Sequence, residues 1–86
     1  MKVQKSNGSL QDFDTEKINM VLGRVSDECE QSMNASDINL VVNSVVETAK
    51  REHKDVIHNS DLRTIVYNTL KEYGFQDIAD AYMRGR

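Results

Sequence analysis

Apolar side chains recur at helical spacing through most of this chain. Ile18, Val21, Leu22 and Val25 stand at i, i+3, i+4 and i+7, which puts them on one stripe of a first helix over residues 15–30. Asp14, just before it, suits an N-cap, because its carboxylate can accept backbone N–H groups that the first turn leaves unpaired. After the polar break at residues 31–35, Ile38, Val41, Val42, Val45, Val46 and Ala49 keep the same period and predict a second helix capped by Ser36. Asn59 or Ser60 caps a third, with Leu62, Ile65, Val66, Thr69, Leu70 and Tyr73 facing inward and Gly74 as its left-handed stop. A last short helix over residues 76–84 offers Ile78, Ala81 and Tyr82 to the core.

The first dozen residues follow another rule. Val3-Gln4-Lys5 and Leu10-Gln11-Asp12 flank Asn7-Gly8, and an Asn-Gly pair between extended runs is a strong hairpin signal, because both central residues of a type I′ turn take positive φ. A two-residue turn there sets Leu10 opposite Lys5, with Val3 and Lys5 on the same face. Val56-Ile57 is too short for a helix and supplies a third strand, since a lone hairpin is marginal in water. The expected fold is mainly α with a small β cap: an N-terminal hairpin plus a short third strand covering a four-helix domain that fills residues 1–86.

Composition narrows the function. The 86 residues, without proline, carry a net charge of −3, which disfavours nucleic acid as a partner, since phosphate binding draws on a basic surface. Charge is uneven: residues 27–55 hold Asp27, Glu28, Glu30, Asp37, Glu47, Glu52 and Asp55 against Lys50, Arg51 and Lys54, whereas residues 1–26 are slightly basic. One cysteine, Cys29, makes no internal disulfide. No apolar run approaches the ~20 residues of a membrane span, and no signal-peptide layout opens the chain. A cytoplasmic protein without membrane association is expected. Cys29, His53 and His58 are too few and too irregularly spaced for structural zinc, and no phosphate-binding Gly-x-x-x-x-Gly-Lys loop or Ser/His/Asp set is present. Catalysis by this chain alone is not expected. An apolar hairpin face beside Lys5 and Lys17 offers the minimum of a nucleotide pocket, a surface for a base and cations for phosphates. The alternative is a helical protein-interaction or oligomerisation module whose lysines serve solubility.

Val3-x-Lys5-x-x-Gly8, Phe13-Asp14-x-x-Lys17-Ile18, Ile57-x-Asn59-Ser60-Asp61-Leu62 and Ala79-x-Ala81-Tyr82 occur in that order. With them the whole chain resembles an ATP-cone, the small regulatory domain found at the N-terminus of ribonucleotide reductases, anaerobic ones especially, and in the bacterial repressor of ribonucleotide reductase genes. The resemblance implies an allosteric ligand, ATP or dATP, with Mg2+ only as a companion of its phosphates. The implied partner is a ribonucleotide reductase catalytic domain or subunit, controlled through association that can include homo-oligomers.

The resemblance also implies residue roles. Val3 and Ile18 pack on the adenine faces, Gln11 meets the adenine edge with an amide that both donates and accepts, and the backbone at Phe13 and Asp14 reads the same edge. Lys5 and Lys17 meet the phosphates, helped by the N–H groups of the helix that opens at Asn59. Arg63 reaches ribose or phosphate, and Arg86 closes the site. Ser6 stands where many family members carry an arginine, which removes one phosphate cation, and Gly85 replaces the aromatic residue usual before the terminal arginine.

Overall fold

The computed structural model describes residues 1–29 and 31–84. Its elements are β1 (Lys2–Gln4), β2 (Leu10–Asp12), α1 (Thr15–Glu28), α2 (Ala35–Glu52), β3 (Val56–His58), α3 (Asn59–Glu72) and α4 (Gln76–Arg84). Four helices and a three-stranded N-terminal sheet bear out the expected fold class. Each helix packs on the next, and α4 returns to α1.

The apolar stripes read from the sequence make the core. Leu22, Val41, Val45, Ile57, Val66, Leu70 and Ile78 are completely buried, each worth roughly 1.5–3 kcal/mol in transfer from water. Met33 joins them from the connection between α1 and α2, although polar neighbours hide it in the sequence. Its backbone N–H donates to the buried Ser26 hydroxyl at 2.7 Å, so the connection is fastened to α1. Tyr73, expected to face inward, is 40% exposed because it occupies the C-cap of α3, where the chain leaves helical geometry.

Helix ends refine the expected boundaries. Asp14 caps α1 as predicted, accepting the Glu16 N–H at 3.0 Å. The helix stops at Glu28, two residues short of expectation, where Cys29 turns extended. The N-cap of α2 is Asn34, not Ser36: the Asp37 N–H donates to the Asn34 amide oxygen at 2.8 Å and the Asn34 N–H to the Asp37 carboxylate at 3.1 Å. This reciprocal box satisfies two donors at once, which Ser36, already in the first turn, cannot do. The cap of α3 is neither Asn59 nor Ser60 but His58, whose Nδ1 accepts the Ser60 N–H at 3.2 Å. At its other end Gly74, at φ +87°, lets the Gly74 and Phe75 N–H groups reach the Lys71 and Leu70 carbonyls, the paired closure of a left-handed helix stop.

The hairpin differs from expectation by one residue. Within the loop Gly8 alone has positive φ, at +89°. The Gly8 N–H donates to the Lys5 carbonyl at 2.9 Å and the Lys5 N–H to the Ser9 carbonyl at 2.8 Å, enclosing a three-residue loop with a glycine bulge. Asn7 keeps negative φ and instead accepts the Ser9 N–H and hydroxyl with its amide oxygen. The register therefore pairs Gln4 with Leu10, Val3 with Gln11 and Lys2 with Asp12. A slip of one residue exchanges the faces: Leu10 leaves the face of Val3 and Lys5 and is 55% exposed, while Gln11 takes its place.

Candidate nucleotide site

The strand order β2-β1-β3 places Val3 between Gln11 and Ile57, so these three side chains leave the sheet on one face. Ile57 is fully buried and Val3 packs against the core, which makes this the face turned to the helices. Gln11 shares it but stays exposed, unlike Ile57 on the opposite edge strand.

The two ends of the sheet carry different chemistry. At one end Asp12 pairs with Lys2, the Phe13 N–H continues the pairing to the Met1 carbonyl at 3.1 Å, and α1 starts with Asp14, Lys17 and Ile18. Phe13 and Ile18 pack partly against the core, and Lys17 is exposed. At the other end Gln4 lies beside His58 in the parallel β1–β3 pair. Lys5, which follows Gln4, and Asn59, which opens α3, therefore emerge together. The groups expected to read adenine thus gather by the start of α1, and Lys5 and the N-terminus of α3 by the opposite end. Strands of three residues keep these ends only about 7 Å apart. Lys17 lies in the first turn of α1, and with the two ends so close both lysines border the same seam. Arg86 lies outside the described residues.

Arg63 lines a cleft of about 420 Å³ together with Val21, Arg24, Val25, Glu28, Ala81 and Tyr82, between α1, α3 and α4. Arg24 was not singled out by the sequence; the signal was its position seven residues after Lys17, which sets it on nearly the same side of α1. Among the described residues, Lys5, Lys17, Arg24 and Arg63 have no ion-pair partner. Lys2 does, in Asp12 on the outer face of the sheet, and its hydrogen bond and charge hold that carboxyl below the usual carboxylate range.

A larger cleft of about 510 Å³ lies between α2 and α3. It contains none of the predicted residues, and its carboxylates, Glu47, Glu52, Asp61 and Glu72, face Arg51 as the one arginine. That balance repels a polyphosphate, whatever the volume. Among the described residues no group of three or more His, Cys, Asp or Glu could hold a metal ion, and no helix is long and apolar enough to cross a membrane.

A search among curated proteins gave no match. The family model described as "ATP cone domain" matches residues 1–86, the whole chain. Together with the helical domain and its small sheet cap, this match shows that the chain belongs to the ATP-cone family and is a nucleotide-binding regulatory module.

Proposed function

We propose that residues 1–86 act as one regulatory domain that binds ATP or dATP at the seam between the sheet and helices α1 and α3, and so controls a ribonucleotide reductase in the cytoplasm. The observation that carries this reading is the cross-strand pair Val3–Gln11. It joins an apolar side chain and an amide on the face turned to the helices, between the capped start of α1 and the end shared by Lys5 and Asn59. Val3 and Ile18 hold the adenine faces, and Gln11 with the Phe13 and Asp14 backbone meets its edge. Lys5, Lys17, Asn59, Arg63 and Arg86 serve ribose and phosphates. Mg2+ enters only with the phosphates.

The domain itself performs no chemistry in this reading. The nucleotide favours one arrangement of the domain over another by its differential affinity, and that difference is what a reductase catalytic domain or subunit, or a second copy of the chain, senses.

Calorimetric titration with ATP and dATP tests the binding, and thermal unfolding checks it, because a ligand at 100 times its Kd stabilises the folded state by about 2.7 kcal/mol. Binding by the wild type and its loss in the K5A/K17A double variant are expected. Absence of both heat and thermal stabilisation would falsify the nucleotide reading, and intact binding by the double variant would refute the assigned phosphate contacts. Adding the domain with nucleotide to a ribonucleotide reductase tests the partner: a nucleotide-dependent change in association or rate supports it, and none removes it.

A further inference from the structure

We infer that Arg24 and Arg63 together grip the terminal phosphate of the nucleotide, so that Arg24 makes the domain discriminate triphosphates from shorter nucleotides; this rests on the nucleotide reading above. Both residues line the cleft between α1, α3 and α4, and neither has an ion-pair partner among the described residues. Arg63 is half-buried, with its neighbours Val21, Val25, Ala81 and Tyr82 supplying apolar wall. Two unpaired guanidinium groups in one cleft are an arrangement that an anion resolves, since each presents a planar fork of donors matched to phosphate oxygens.

Placement along the helices selects the far end of the ligand. Arg63 lies one turn into α3, the helix that opens beside Lys5. The α1 residues that share its cleft are Val21, Arg24 and Val25, not Lys17. Seven residues of helix separate Lys17 from Arg24, about 10 Å of rise. Arg24 is therefore the cation of α1 that shares the cleft with Arg63, about two turns beyond Lys17. Glu28, one turn beyond Arg24, lines the same cleft and also the adjoining one with Cys29, Asp77, Asp80 and Arg84. Its carboxylate sets the limit beyond which a phosphate cannot extend.

The test compares ATP, ADP and AMP by calorimetry in the wild type, R24Q, R24K and R63Q, with inorganic tripolyphosphate as a base-free probe. Arg24 is exposed, so R24Q should melt with the wild type. Loss of one charge-assisted contact should weaken ATP binding by roughly 10- to 100-fold while AMP changes less than about twofold, and R24K should fall between, because it keeps the charge and loses the fork. Equal loss for ATP and AMP, or unchanged ATP affinity, overturns the inference. Should no nucleotide bind the wild type, tripolyphosphate decides: binding that R24Q and R63Q both abolish upholds the arginine pair as an anion site while the nucleotide reading falls, and no binding removes both.

Discussion

Val3 in β1 and Gln11 in β2 are cross-strand partners, so an apolar side chain and an amide stand side by side on the face of the sheet turned to the helices. Gln11 is exposed and contributes no packing. Replacing it with leucine should leave the melting temperature within a degree or two and weaken ATP by about tenfold, the worth of one neutral hydrogen bond. The preference for ATP over GTP should shrink with it. Calorimetry with both nucleotides checks this; an unchanged ratio would show that Gln11 does not read the base.

His58 caps α3 through Nδ1, which accepts the Ser60 N–H at 3.2 Å, while the Ser60 hydroxyl lies 2.9 Å from the same nitrogen. A His58→Ala change removes that acceptor and should cost about 0.5–2 kcal/mol in denaturant unfolding, whereas His58→Asp should match or exceed the wild type. If alanine costs nothing, the imidazole is not serving as the cap.

Three glycines separate two physical roles. Gly23 lies within α1 at ordinary φ, and an added Cβ would meet nothing within 4 Å. Gly23→Ala should therefore stabilise the domain by about 0.5–1 kcal/mol, raising the melting temperature by several degrees. Gly8 and Gly74 are equally open but have φ of +89° and +87°, so alanine there should destabilise by about 1–3 kcal/mol through backbone strain alone. Calorimetric melting of the three variants distinguishes the cases.

The Lys2–Asp12 pair gives a pH prediction with a definite sign. Lys2 lowers the folded-state pKa of Asp12 from its ordinary 3.8, so the pair's contribution is present above that value and is lost as pH falls through the folded one. Because both groups are well exposed, the effect near neutrality is small. Melting curves of Asp12→Asn should lie slightly below the wild type at pH 7, and the two should converge well below pH 3.8. A gap that widens in acid would contradict the pairing.

The sequence by itself determined the number, order and inward faces of the helices, because burial at a 3.6-residue period leaves a pattern in composition that no other structure explains. It also determined the family, since four motifs in order span the chain. Tertiary structure decided what depends on geometry between neighbours. The three-residue loop, chosen by Gly8 and the Asn7–Ser9 contacts, shifted the register and put Gln11 rather than Leu10 on the face of Val3. Met33 became core because Ser26 draws its backbone inward, and His58 became a cap because β3 ends against β1 where α3 begins. Arg24 entered a common cleft with Arg63 only when α1, α3 and α4 packed together. The seven-residue spacing from Lys17 sets only the side of α1 on which Arg24 lies, so its role is decided by which helix lies across from it.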